Sequence, residues 1–367
     1  MRDLANDRAI AHRRLRTQGI AGSRFATAED VVGWLGAVQS QEYAVAKWSV
    51  GQRARGVSEA ALDRAIADGT VLRTHVLRPT WHFVLPADIR WMLELTAPRV
   101  RAMMASYDRK LELDDALYAR SNAAFADALE GGKQLIRKEL AVVLLGAGIV
   151  AAGQRLGHIV MRAELDAVIC SGAPRGKQHT YALLDERAPR ARSLPPDDAL
   201  AELTRRYFTS HGPATLKDYM WWSSLTAGTA RRGLEMLDSE LERTVVAGRT
   251  YWSSATPRGR REPSPTAHLL QGYDEYVIAY SESRSVLNVA SLSGLIPVGR
   301  VPFTHAVIVD GQFAGHWRRV VRAQAVTIEV QLRASLDGAQ RDALEAAVGR
   351  YGRFMELPAS LAVIHAA

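Results

Sequence analysis

The chain of 367 residues contains a single cysteine, Cys170, and this scarcity excludes several kinds of site. One thiol cannot form an intramolecular disulfide, and zinc sites built on cysteine need more than one. The ten histidines are scattered, and no HExxH pair or histidine–carboxylate cluster accompanies them. We therefore expect a protein with no metal site and no cofactor.

The sequence also lacks a long apolar run. The longest, Leu140–Gly153, is shorter than the roughly 20 residues that span a bilayer. The segment Met1–Ile20 is charged throughout and has no apolar centre of a signal peptide. These absences predict a cytoplasmic protein that does not enter membranes.

Motifs of common enzyme classes are scarce as well. No P-loop or G-x-S-x-G elbow occurs. Gly146–Ala151 fits the dinucleotide-binding pattern G-x-G-x-x-A, with Asp166 near the position of a ribose-binding acid. However, Lys133–Leu140 before it has helical periodicity, and no βαβ alternation follows. The favoured interpretation is a packed helix–turn–helix corner, and a nicotinamide-dependent oxidoreductase is the weakest of three functional hypotheses.

Positive charge is what the sequence has in excess. Lys and Arg number 47 against 39 Asp and Glu, which gives a net charge of +8 and a pI of about 9.7. Most of the excess is arginine, whose planar guanidinium suits phosphate groups. The charge favours nucleic acid or an anionic surface as partner, while the alternative is a soluble protein that is merely rich in arginine.

The periodicity predicts helices followed by a hairpin. A basic helix covers residues 4–19, and Thr27–Asp30 matches a capping box that opens the next helix. A helix over 58–69 precedes strands at Val71–Leu77 and Thr80–Leu85. A short helix followed by a basic hairpin is typical of the later part of a winged helix.

The same order returns twice more along the chain. The second copy comprises helices at 122–130, 133–149 and 154–170 and a hairpin that turns at 173–177 and returns on Thr180–Leu184. The third comprises helices at 198–211, Leu216–Leu225 and Thr229–Leu237 and strands at Thr244–Val246 and Thr250–Ser253. This recurrence without sequence identity predicts tandem winged helices.

After a loop rich in Ser, Pro and Arg at 253–266, the predicted elements change from mainly helices to mainly strands. Strands are predicted at Tyr276–Tyr280, His305–Val309, Gln312–Trp317 and Ala325–Val330, with a hairpin at Asp310-Gly311 and a helix at 338–350. The predicted fold class is α+β, with tandem winged helices followed by a smaller α+β portion. The predicted domains are 1–112, 113–190, 191–262 and 263–367.

Basic residues gather at the predicted hairpins and in the linker. These candidate DNA-binding residues are Arg73, Arg78, Arg175, Lys177, His179, Arg258, Arg260 and Arg261. Wings commonly follow the phosphate backbone or enter the minor groove, where basic residues supply affinity that depends on salt. A solvated charged face is the alternative interpretation.

Two further polar and aromatic stretches have structural interpretations. We predict that Trp221-Trp222 belongs to a core rather than to a stacking platform for bases. The carboxylates of Tyr273–Tyr276 could orient arginines or act as a base, and a structural salt bridge is the favoured role.

Gln39-Ser40-Gln41 lies at the end of a helix whose apolar face carries Val31, Val32, Leu35 and Val38. Ser40 could cap a further helix at Glu42–Arg55. Residues two apart in one helix point about 200° away from each other. The two glutamines can therefore act together only if the chain leaves the helix near Ser40. Without further context they are two amides at a junction.

At this point the sequence resembles the bacterial AlkZ/YcaQ winged-helix DNA glycosylases over essentially its whole length. The stretches that carry the resemblance are Val38–Gln41, Leu72–His82, Gly176–Glu186, Ser210–Asp218 and Gly272–Tyr276. The resemblance implies tandem winged helices packed around a β-rich centre, with a basic concave DNA-binding face. It also adds Trp81 and His82 to the DNA-binding candidates. It also implies that Gln39 and Gln41 are catalytic, because the AlkZ-like branch has Gln-apolar-Gln there. Ser40 departs from the apolar middle residue.

The leading hypothesis is therefore a monofunctional DNA glycosylase that removes purines alkylated at N7 or N3, including bulky adducts or interstrand crosslinks. A glutamine amide is not a base near neutral pH, but it can hold a water molecule. We expect a nucleoid-associated monomer whose partner is double-stranded DNA containing alkylated bases. A non-catalytic winged-helix DNA-binding protein is the alternative.

Overall fold

A computed structural model describes residues 4–22, 25–255, 264–287 and 305–364 of the chain. These residues form a mixed α+β fold, as predicted. The helices are α1 Leu4–Thr17, α2 Ala28–Leu35, α3 Tyr43–Gly51, α4 Glu59–Asp68, α5 Ile89–Lys110, α6 Asp115–Leu129, α7 Arg137–Gly146, α8 Gly153–Leu165, α9 Leu184–Arg187, α10 Pro196–Ser210, α11 Leu216–Ser223, α12 Ala227–Met236, α13 Glu275–Ile278 and α14 Gly338–Met355, with a 3₁₀ turn at Arg284–Leu287.

The strands are β1 Val38–Gln39, β2 Leu72–His75, β3 Trp81–Val84, β4 Leu135–Ile136, β5 Ile169–Ser171, β6 Thr180–Leu183, β7 Leu241–Val246, β8 Arg249–Ser254, β9 Ala267–Leu270, β10 Ala306–Val309, β11 Gln312–Arg322, β12 Ala325–Leu332 and β13 Ala359–Val363.

The chain divides into two compact units. The first contains the described residues of Met1–Leu62, Thr204–Trp222 and Thr226–Ala367, and the second contains Asp63–Leu203 with Ser223–Leu225. The first unit is thus assembled from segments far apart in sequence. The four predicted domains stay a prediction.

The largest sheet lies in the first unit and has the strand order β13-β12-β11-β10-β9. Neighbouring strands are antiparallel except for β12 and β13, which are parallel. Asp310 and Gly311, with φ of 47° and 74°, join β10 to β11. Two positive φ angles characterise the tight turn whose twist matches a hairpin, so the prediction from Asp310-Gly311 is confirmed. Helix α14 packs on this sheet through Leu344 and Tyr351.

A buried ion pair connects α3 to the segment before α13. Arg53 donates two hydrogen bonds to Asp274, from Nη1 to Oδ2 at 2.8 Å and from Nη2 to Oδ1 at 2.7 Å. Both side chains are fully buried, and Gln52 donates a further hydrogen bond to Asp274 at 3.0 Å. The predicted salt bridge within Tyr273–Tyr276 is confirmed for Asp274.

The second unit surrounds an apolar core to which α6, α7 and α8 contribute Phe125, Leu140 and Ile159. Strands β4, β6 and β5 form one sheet in that order, and β2 pairs with β3 in a hairpin. The predicted order of helices followed by a β-hairpin is therefore confirmed between α6 and β6.

The glycine pattern at Gly146–Ala151 is a helix corner. Gly146 ends α7, and Gly148 has φ of 72°, which suits a turn. Asp166 pairs with Arg162 and Arg101. A helix stands where a dinucleotide site needs a strand, so the predicted helix corner is confirmed. The corner is not tightly packed, however, because Gly146 and Gly148 are both exposed.

Some predicted elements differ from the structure. The apolar run Tyr276–Tyr280 was expected to be a strand, but α13 begins there because Asp274 caps it by accepting a hydrogen bond from the Tyr276 N–H. Short buried apolar runs do not distinguish strands from helices by periodicity.

Of the tryptophan pair, Trp222 is buried as predicted, whereas Trp221 is 45% exposed.

Across the described residues, the helices are too short or too polar to cross a bilayer. Within the same ranges, no group of three or more His, Cys, Asp or Glu side chains is arranged to hold a metal ion.

We predict that Arg53→Met strongly destabilises the protein, because it leaves the Asp274 carboxylate buried without its cation. Removing one partner of a buried ion pair costs about 3–5 kcal/mol. The free energy of unfolding, measured by chemical denaturation, should fall by that order. The control is Glu240→Gln, which breaks the exposed pair of Glu240 with Arg205 and should change stability far less. Equal losses in the two variants would contradict the prediction.

Candidate active site

Neither candidate catalytic glutamine lies in a helix. Helix α2 ends at Leu35. The next residue, Gly36, has φ of 77° and ψ of −50°, a backbone conformation that residues other than glycine rarely adopt. Gln39 then belongs to β1, and α3 begins only at Tyr43. The required break in the helix is therefore present, earlier than predicted because Gly36 turns the chain.

The two glutamines differ in exposure. Gln39 is only 6% exposed and Ser40 is fully buried, whereas Gln41 is exposed. Ser40 does not cap α3, since the N-cap residue is Glu42. Ser40 instead lies in the interior of the first unit. The pair thus extends from the interior of the first unit to its surface.

A buried carboxylate holds the backbone of Gln39. The Gln39 N–H donates to Oε1 of Glu275 at 3.0 Å, and the indole N–H of Trp222 donates to Oε2 at 3.0 Å. His211 places Nε2 3.4 Å from the same Oε2. Glu275 and the two residues that contact its Oε2, Trp222 and His211, are all fully buried. Sequence reasoning allowed the carboxylates of Tyr273–Tyr276 to orient arginines or act as a base and favoured a structural salt bridge, but it did not predict the contact of Glu275 with Gln39.

Aromatic rings fix the imidazole of His211. Its ring stacks on Tyr207 with centroids 5.0 Å apart and an interplanar angle of 11°. The Ser210 hydroxyl donates to the Arg206 carbonyl at 2.6 Å and lies 2.8 Å from His211 Nδ1. In the sequence, His211 was indicated only by its place in Ser210–Asp218, one of the stretches that carry the family resemblance.

The first hairpin of the second unit brings four DNA-binding candidates together in two pairs. The guanidinium of Arg73, which is buried, lies 4.4 Å from the ring centroid of Trp81. His82 Nδ1 donates to the Thr80 carbonyl at 2.9 Å, so its Nε2 accepts from Arg78 at 3.2 Å. His82 is fully buried.

The second hairpin carries three more candidates in different environments. Arg175 donates to Glu139 at 2.7 Å and to the Gln134 carbonyl at 2.8 Å. Lys177 is exposed. Burial, reinforced by the Arg73 guanidinium, lowers the pKa of His179 to about 4. The hairpin therefore carries its charge on Arg175 and Lys177 at neutral pH.

The linker candidates Arg258, Arg260 and Arg261 lie outside the described residues. For these and the other candidate DNA-binding and catalytic residues, the assigned roles stay predictions.

The chain belongs to the AlkZ-like DNA glycosylase family. The family model described as "DNA glycosylase AlkZ-like" matches residues 32–354. The resemblance stated from the motifs is thereby confirmed, and the protein is an enzyme, a DNA glycosylase.

Two similar proteins come from Streptomyces sahachiroi. An "Interstrand DNA cross-link repair glycosylase" is 25% identical over 327 residues, which cover 86% of this chain and 88% of the relative. The solved structure of "DNA glycosylase AlkZ" superimposes with a TM-score of 0.75 at 22% identity, over 97% of this chain and 99% of the other. The second likeness shows that the two chains share a fold.

We predict that His179 is neutral at physiological pH and gains a proton only as the pH falls toward 4. Its folded-state pKa lies below the ordinary histidine value of about 6.5, because burial and Arg73 both disfavour the charged form. An NMR titration of the imidazole C–H signals, assigned with the His179→Gln variant, measures this pKa directly. A pKa at or above the ordinary value would contradict the prediction.

Proposed function

We propose that this enzyme hydrolyses the N-glycosidic bond of cationic purines alkylated at N7 or N3, with Gln39 and Gln41 positioning the attacking water. The observation that carries the proposal is the course of the Gln39–Gln41 segment. It leaves the helix, its backbone is bonded to a buried carboxylate, and its second glutamine is exposed.

The leaving group explains why amides suffice. An N7- or N3-alkylated purine carries a positive charge that its departure neutralises, so the C–N bond is weakened before the enzyme acts. A glutamine carbonyl can accept a hydrogen bond from water, and the amide N–H₂ can donate to another group. Holding one water in line with the sugar lowers the barrier by orientation rather than by strong base catalysis.

The hairpins support the proposal of tandem winged helices with a basic concave face. β2–β3 follows α4, β5–β6 follows α8, and β7–β8 follows α12, so each hairpin comes after a helix. Arg78 and Lys177 stand near the tips of the first two. In this proposal they contact the phosphate backbone, and the protein acts as a monomer in the cytoplasm.

Bulky and crosslinked adducts are included in the proposed substrate range. A base tethered to the opposite strand cannot rotate into a closed pocket in the usual way. Gln41 is exposed, which is compatible with a base approached on an open surface. The Streptomyces sahachiroi relative is named for interstrand cross-link repair, and this supports the same range.

Duplex DNA containing N7-methylguanine tests the reaction. The wild-type protein should release free base, and Gln39→Ala or Gln41→Ala should slow single-turnover release by about 100-fold or more, because water positioning is lost. Affinity for the same duplex should change little. Release is measured by chromatography of the free base, and binding by fluorescence anisotropy.

Two outcomes would overturn the proposal. Binding without base release by the wild type would favour the non-catalytic DNA-binding alternative. Release of uracil, a neutral base, at a comparable rate would contradict the requirement for a cationic leaving group. A duplex with an N7-linked interstrand crosslink, assayed by denaturing gel, tests the wider substrate range separately.

The second hairpin offers a matched pair of variants for DNA binding. Each phosphate contact by a cation contributes about −0.9 to the slope of log affinity against log salt for duplex DNA. Lys177→Gln should therefore reduce the slope by about one contact. His179→Gln at pH 7.5 should leave the slope unchanged, since His179 is neutral there. An unchanged slope for Lys177→Gln would show that this hairpin does not follow the phosphate backbone.

A further inference from the structure

We propose that Glu275 is a positioning residue for the proposed catalytic pair, and this inference rests on the function proposed above for Gln39 and Gln41. Its carboxylate fixes the main chain at Gln39 and thereby sets where the two amides lie. The link is formed by residues 236 positions apart in the sequence.

The two carboxylate oxygens have separate tasks. Oε1 accepts the Gln39 N–H, and Oε2 accepts the Trp222 indole N–H. An ionised carboxylate offers only acceptors, whereas an amide offers one oxygen and one N–H₂ group. In the variant Glu275→Gln, one of these two donors must therefore face another donor. No other side chain of similar size satisfies both.

The acceptor itself is held rigidly. Glu275 is the first residue of α13, whose start is capped by Asp274, and Asp274 is in turn bound by the Arg53 guanidinium. On the other side, the Trp222 ring packs against Tyr207 at 5.0 Å between centroids. A functional group is placed accurately when the residues that support it are themselves fixed.

Stability alone is a poor explanation for this carboxylate. Asp274 receives a bidentate guanidinium, but the hydrogen bonds to Glu275 come from a backbone amide and an indole, with an imidazole at 3.4 Å. Taking a carboxylate out of water is expensive, and only a closely paired cation of the kind that Asp274 has offsets much of that cost. What the carboxylate supplies is one defined conformation of the Gln39 backbone.

The test compares Glu275→Gln with Asp218→Asn. Asp218 is a fully buried carboxylate in the same unit, and it accepts backbone N–H groups of Thr215, Ser281 and Ser283. Its substitution makes the same chemical change at a site without a bond to Gln39. Single-turnover release of N7-methylguanine, affinity for the duplex and amide hydrogen exchange of the peptide containing Gln39 are measured for each folded variant.

We expect Glu275→Gln to lower the single-turnover rate by about 10- to 100-fold, since small misplacements of reacting groups have effects of this order. Duplex affinity should stay near that of the wild type, and exchange at the Gln39 amide should accelerate. Asp218→Asn should lose thermal stability but keep the wild-type rate per folded molecule. A purely structural role for Glu275 would give both variants the same behaviour.

A third variant keeps the inference testable where Glu275→Gln fails to fold. Glu275→Asp keeps the charge but is one methylene shorter, so it should hold one donor and lose the other. Its rate should fall between those of the wild type and the Gln39→Ala variant. A wild-type rate and unchanged exchange at Gln39 in either Glu275 variant would overturn the inference while leaving the proposed function intact. No base release by the wild type would instead contradict the proposed function.

Discussion

Two adjacent buried carboxylates, Asp274 and Glu275, connect three segments of the first unit. Asp274 binds Arg53 just beyond the end of α3, while Glu275 binds the Gln39 backbone before α3 and Trp222 in α11. Three segments widely separated in the chain therefore meet at two consecutive residues. Because each carboxylate is fully buried, its oxygens need hydrogen-bond donors from the protein. This requirement fixes the segments that supply the donors relative to one another.

Elements decided by local chemistry could be predicted from the sequence. The capping box Thr27–Asp30, the Ser58 cap that binds the Ala61 N–H and the Asp310-Gly311 hairpin are all present. Elements that depend on distant partners could not. β13 exists because β12 offers a parallel edge, and Tyr276–Ile278 is helical because Asp274 caps α13 while bound to Arg53.

The candidate site likewise has residues that could be identified from the sequence and residues that could not. Gln39 and Gln41 could be identified by resemblance, and leaving-group chemistry explains how amides could serve. Glu275 was missed as a partner of Gln39, because nothing in the neighbouring sequence indicates a contact 236 residues away. Arg73 and His82 were expected to be exposed, because polar side chains of this kind are usually at least partly exposed to solvent. Both are buried. Inside the second unit, Arg73 contacts the Trp81 ring and His82 accepts a hydrogen bond from Arg78.

In the proposed mechanism, the charged group and the reacting groups have separate roles. Glu275 is fully buried and accepts hydrogen bonds from the Gln39 and Trp222 N–H groups, so in this mechanism it orients the backbone rather than activating water. Neutral amides then face the water. An amide cannot compensate for a misplaced water by transferring a proton, so catalysis by glutamine depends on accurate placement more than catalysis by a carboxylate does. A cationic leaving group permits the neutral pair, and a buried carboxylate supplies the accuracy that the neutral pair requires.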